Sequence, residues 1–202
     1  TGIIILFCFG YCDNTNLPIE YKKTEGISMN GIKLKKLVIS ALMAAIVCVA
    51  TMVVQIPSPM QGYVNLGDCF VLLSGWFLGP VYGAAAAGIG SMLTDLLMIY
   101  PYYAPGTLII KAVMAICAAL VFKMIKSNTA GFIISSVVSE IIMIAGYFGY
   151  AALLLGKGLA AAASIPGNIV QGLAGIIIGT ALAMIIVKSG LDKKLFGKEN
   201  LK

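Results

Sequence analysis

Asp68, Asp95, Lys111 and Glu140 are ionisable, and each stands within a largely apolar run. A charge in such a run is costly to bury, which makes each a candidate for binding or transfer rather than for solubility. Asn65, Asn168, Gln171 and the tyrosines at 100, 102, 103 and 147 accompany them. Amides and carboxylates orient a polar ligand, and tyrosine rings supply flat area for stacking. The chemistry on offer is therefore that of a binding pocket. Catalysis is poorly served. The chain contains no histidine, which removes Ser-His-Asp and Cys-His machinery. Its five cysteines, at 8, 12, 48, 69 and 117, include no CxxC pair of the kind that holds zinc. The segment LLLGKG around Gly156 lacks the earlier glycine and the following Ser or Thr of a phosphate loop. No catalytic residue, metal or cofactor is expected, and any ATP hydrolysis belongs to another subunit.

These residues need helices in lipid to position them. Hydrophobic residues make up 60% of the 202 and charged residues 11%, with a mean hydropathy of +0.99. A water-soluble domain of this size cannot cover that much apolar surface. In a bilayer only helices or a closed barrel satisfy the backbone, and the long unalternating runs exclude the barrel. The predicted fold class is all-α, a polytopic membrane protein with six transmembrane helices. The predicted spans are 36–56, 66–80, 81–99, 104–126, 130–153 and 163–188, the second of them short. Pro57, Pro59, Gly79-Pro80, Pro101, Pro105, Asn128, Gly131 and Pro166-Gly167 punctuate the boundaries. Residues 29–190 are read as the membrane domain and 191–202 as a basic cytoplasmic tail. Met29 opens a stretch that reads like the natural start of a membrane protein, so residues 1–28 are read as an extension, disordered or not native.

All fourteen basic residues are lysine, and the net charge is +6. Lys33, Lys35, Lys36, Lys123, Lys126, Lys188, Lys193, Lys194 and Lys198 fall on one side if both termini are cytoplasmic, leaving Lys157 in an outer loop. This satisfies the positive-inside rule and gives the lysines a topological role, not a nucleic-acid one. In that topology Asp68 sits at the outer end of span two, and Lys111 about 10 Å below the outer end of span four at 1.5 Å per residue. Asp95 is about one turn from the outer end of span three, and Glu140 is near the middle of span five. Asn168 and Gln171 share a face of span six. The polar groups thus gather in the outer half, as in a pocket open to the outside. Structural readings stand beside this one. The tyrosines also fit an interfacial belt, Lys111 also fits an ion pair with Asp68 or Asp95, Asp68 also fits a helix start, and Asn168 and Gln171 also fit interhelical contacts.

Small residues form a second pattern: Ala41 and Ala45 in span one, GAAAAGIG from 83 to 90, and Gly172, Gly175 and Gly179 in span six. Such stripes let helices approach closely. Taken in order, KKLVISALMAAI, GYVNLGDCFVLLSGWFLGPVYGAAAAGIGSMLTDLL, YYAPGTLIIKAVMAI, GYFGYAALL and IPGNIVQGLAG resemble the S components of energy-coupling factor (ECF) vitamin transporters. The likeness is to the riboflavin-type branch, which is similar to the pyridoxine and hydroxymethylpyrimidine transporters. The resemblance implies a substrate-binding membrane subunit that captures a water-soluble vitamin at its outer side, in the bacterial plasma membrane. Its partners would be a transmembrane coupling subunit and two ATPase subunits. Ala41 and Ala45 occupy the position of the family's AxxxA contact with the coupling subunit. The candidate substrate-binding residues are Asn65, Asp68, Tyr103, Lys111, Glu140, Tyr147, Asn168 and Gln171, with Asp68 and Asp95 the more structural and the loop 57–67 as a lid. The alternative is a self-sufficient secondary transporter, which calls for inverted repeats; none is visible between the two halves.

Overall fold

A computed structural model describes residues 31–58, 62–125 and 128–196. The expectations for residues 1–28, Pro59, Lys126 and Lys198 lie outside the described residues. The order is α1 (Gly31–Val53), β1 (Gln55–Ser58), β2 (Gly62–Asn65), α2 (Gly67–Leu97), α3 (Ala104–Met124) and α4 (Asn128–Gly149), then α5 (Ile165–Lys188) and α6 (Leu191–Phe196). A π-helical turn, Tyr150–Leu154, and a 3-10 helix, Gly158–Ser164, join α4 to α5. Five helical stretches among the described residues are long and apolar enough to cross a membrane.

The longest of these, α2, does two helices' work. Gly79 has φ +80° and ψ −179°, a conformation open to glycine and not to an L side chain. Pro80 then restarts the helix with a φ already suited to it. The two halves fold back on each other: a Cβ on Gly83 would lie 2.4 Å from the Ser74 carbonyl oxygen, although nine helical residues rise about 13 Å. Six predicted spans are thus present as five continuous stretches, one of them a hairpin. Its first leg, from Gly67 to Leu78, rises only about 17 Å, short of the roughly 30 Å apolar core of a bilayer.

The β1–β2 hairpin leads into this leg, antiparallel with Gln55 opposite Asn65 and Ile56 opposite Val64. Span one therefore ends as helix at Val53, not at 56. Non-helical backbone near a membrane is tolerated where it is buried against protein or lines a cavity. At the other end of the bundle, near the close of α3 and the start of α4, aromatic side chains form a plug. Trp76 and Phe132 lie 4.8 Å apart, and Phe122 stacks on Phe132 at 4.5 Å. The Trp76 indole donates to Ser135 Oγ at 2.9 Å. Leu72, Leu73, Phe77, Ala118 and Ala183 complete this buried cluster. In the basic tail the first six residues form α6, and Lys35 of α1 donates to the Lys194 carbonyl at 3.1 Å.

Candidate functional site

The site begins at Asn65-Leu66-Gly67-Asp68, where β2 turns into α2. The Asn65 Oδ1 accepts the Gly67 N–H at 2.8 Å and so serves one of the free amides at the helix start. Gly67 has no room for a side chain, because a Cβ would meet Thr51 Oγ1 at 2.0 Å. Asp68 then enters the first turn, where a carboxylate is favoured by the helix dipole. Its Oδ1 is ion-paired with the Lys111 ammonium of α3. Its Oδ2 accepts from Gln171 Nε2 of α5 at 2.7 Å. Gln171 Oε1 in turn accepts the Asn65 N–H at 2.9 Å. The hairpin, α2, α3 and α5 are therefore tied at one buried point, where the Asp68 and Lys111 side chains are 1% and 3% exposed. A charge pair this deep is tolerated only with close geometry and further hydrogen bonds, and Gln171 supplies one.

Over this knot lies a small cavity of about 60 Å³. Lys111 and Gln171 line it where they emerge from the knot, Asn65 lines it from the hairpin, and Asn168 of α5 and Tyr147 of α4 add to its wall. The Tyr147 hydroxyl donates to Thr107 Oγ1 at 3.1 Å, and the Lys111 ammonium stands 5.4 Å from the Tyr147 ring centre. Thr51, Tyr63, Ser91 and Asp95 also line it. The Tyr63 hydroxyl donates to Asp95 Oδ1 at 2.6 Å, and its ring packs 5.1 Å from Tyr100. Burial, and then the neighbouring Asp95 charge, push the Tyr63 phenol above its ordinary value. It stays protonated, and a donor, throughout the neutral range. Tyr103 closes the mouth under Lys157, whose ammonium donates to the Tyr103 hydroxyl at 3.0 Å.

Six of the eight sequence candidates reach the wall: Asn65, Tyr103, Lys111, Tyr147, Asn168 and Gln171. Asp68 lies behind it, wholly buried in the knot. Glu140 also lies behind it, packed on α5 where a Cβ on Gly175 would come 2.6 Å from its Oε1 and 3.1 Å from the Asp68 Cβ. Both Glu140 carboxylate oxygens lack a hydrogen-bond partner among the described residues. Ala41 and Ala45 are on the exposed face of α1, apart from the cavity. Sequence reasoning left Thr51, Tyr63, Ser91 and Thr107 unmarked and read Asp95 as structural. A signal existed for two of these, since Ser91 and Thr107 stand four residues before Asp95 and Lys111 and so share their helix faces. Tyr63→Phe is expected to free the hairpin from Asp95. Proteolysis within the 55–65 hairpin should quicken severalfold while the melting temperature barely moves; unchanged cleavage would mean the bond does not hold the hairpin.

The knot, the capped cavity and the helical hairpin can be set against known proteins. The family model for the S component of the ECF-type riboflavin transporter matches residues 31–188. A solved structure titled "Structure and mechanism of the S component of a bacterial ECF transporter" is similar over 78% of this chain and 98% of its own, with a TM-score of 0.61 and 24% identity. That likeness speaks to the fold. A Pyrococcus woesei protein, described only as an uncharacterised protein in the gap 3′ region, is 38% identical over 143 residues, 70% of this chain and 95% of that one. A family match through every described membrane-crossing helix, on a fold shared with a solved S component, places this multi-pass chain in the ECF-type riboflavin transporter S-component family.

Proposed function

We propose that the chain captures a small water-soluble vitamin, of pyridoxine or hydroxymethylpyrimidine type, from the outer face of the membrane for ATP-driven uptake. The observation that carries this reading is the cavity itself. It is polar where it meets the knot, roofed by a hairpin pinned through Asn65 and Tyr63, and backed by an aromatic plug. A capture subunit needs a closed-bottomed pocket, whereas a self-sufficient transporter needs polar groups continuing to the inner face. Asn65, Tyr103, Lys111, Tyr147, Asn168 and Gln171 contact the ligand, while Asp68 and Glu140 act from behind the wall. The tricyclic ring of riboflavin would require the wall or the hairpin to move further than a single ring does.

Transport then rests on partners, a transmembrane coupling subunit and two ATPase subunits. The exposed Ala41 and Ala45 face of α1 suits close approach of the coupling subunit. Both termini lie on the cytoplasmic side by the lysine distribution. Titration calorimetry of the detergent-purified chain against pyridoxine, hydroxymethylpyrimidine, riboflavin and thiamine tests the reading. One-to-one binding of one of them is expected, weakened about tenfold by Asn168→Ala through loss of a ligand hydrogen bond. A folded sample that binds none of them would sink it.

A further inference from the structure

Asp95 has a buried carboxylate oxygen without a hydrogen-bond partner among the described residues. The residue is 3% exposed and stands in the cavity wall. Its Oδ1 holds the Tyr63 hydroxyl, while its Oδ2 has no hydrogen-bond partner among the described residues. A buried acceptor left unsatisfied is a standing cost that any ligand with a suitably placed donor removes. The charges around it narrow the class of donor. Lys111, the cation in the same wall, is matched by Asp68, and Lys157 lies at the mouth over the Tyr103 ring. Lys111 is thus engaged by Asp68, while the Asp95 carboxylate in the same wall has no ion-pair partner among the described residues. A positively polarised N–H bonds to a carboxylate more strongly than a neutral hydroxyl does, and an anionic ligand is repelled.

Building on the vitamin-capture reading, we infer that Asp95 is a specificity-determining residue whose Oδ2 accepts an amino or ammonium N–H of the cargo. The preferred ligand is a dephosphorylated ring bearing an amine, and its phosphate ester is rejected. Tyr63 takes part by holding the carboxylate so that Oδ2 is the oxygen left to the ligand.

Calorimetry on the full chain in detergent tests this with matched probes. These are 4-amino-5-hydroxymethyl-2-methylpyrimidine against its 4-hydroxy analogue, pyridoxamine against pyridoxine, and the phosphate monoester of each amine. In at least one pair the amine is expected to bind about tenfold or more tightly, with the esters not binding. Asp95→Asn keeps the acceptor for Tyr63 but puts an NH₂ where the ligand's donor points. It should lower affinity for the amine about 10- to 100-fold and for the hydroxy analogue by distinctly less. Equal affinity within both pairs, tighter binding of an ester, or an equal loss for amine and hydroxy analogue in Asp95→Asn would overturn the inference. The wild-type comparison decides the matter even if the variant does not fold. Riboflavin or pyridoxine bound with no amine preference sinks this inference and leaves vitamin capture standing; a folded chain that binds no probe and no vitamin sinks both.

Discussion

Lys111→Met should lower the stability of the purified chain by about 3–5 kcal/mol, the usual cost of stranding one member of a buried ion pair. Asp68 would be left as a carboxylate at 0% exposure with Gln171 as its remaining hydrogen-bond donor. The two charges differ in what they do beyond pairing. Asp68 holds together α2, α3 and α5, and does not reach the cavity. Lys111 reaches it and turns the rest of its ammonium towards whatever binds there. Removing both charges, with Asp68→Asn and Lys111→Met together, should therefore recover most of the lost stability, since neither member of the pair is left facing an absent partner. Ligand binding should stay lost, because the Lys111 cation is gone from the wall. Melting followed by size-exclusion chromatography, alongside calorimetry, separates the two effects. A Lys111→Met protein that melts with the wild type would show that the pair does not carry the fold. A double variant that binds normally would remove Lys111 from the site.

Gly75 gives the second large effect. It lies in the first leg of α2, facing α3, where a Cβ would come 2.4 Å from the Ala115 carbonyl oxygen and 3.1 Å from its Cα. Backbone cannot yield as a flexible side chain can, so the helices must part. Gly75→Ala is expected to cost about 1–3 kcal/mol by overpacking, and Gly75→Leu to give little folded protein. The damage should extend to the site, because Lys111 is one helical turn from Ala115 on α3 and its reach to Asp68 depends on that approach. Gly149→Ala is the control: nothing lies within 4 Å of a Cβ there, and expression and melting should match the wild type. Equal behaviour of the Gly75 and Gly149 variants would mean that α2 and α3 are not so closely packed.

The parts of this site that sequence could reveal are those whose cost in lipid is high. Asp68, Lys111 and Gln171 are conspicuous because such side chains are rare in apolar runs, and Gly79-Pro80 announces a reversal through its backbone demands. The rotation of each helix about its own axis leaves no such mark. Glu140 is as conspicuous in sequence as Lys111, yet it turns to Gly172 and Gly175 of α5 and not to the cavity. Thr51 could not be told from any threonine in a span, since its hydroxyl bonds back to the Val47 carbonyl at 2.7 Å as such residues commonly do. Tyr63 escaped notice because a four-residue strand has too little pattern to fix which way it faces. Asp95 was marked by charge but not by role, because its role depends on which of its two oxygens Tyr63 takes.

The knot at Asp68 also constrains the order in which the chain can be made. Membrane proteins emerge amino-terminal end first, and their early segments must stand in lipid before the later ones exist. Asp68 and Lys111 belong to neighbouring helices in the sequence, so their charges can cancel as soon as α3 has left the ribosome. Gln171 arrives with the last membrane-crossing helix and closes the hairpin's final hydrogen bond through Asn65. Biogenesis thus runs from charge pairing to sealing, and a nascent chain halted before α5 would already hold the Asp68–Lys111 pair under a hairpin fastened at Tyr63 but not at Asn65.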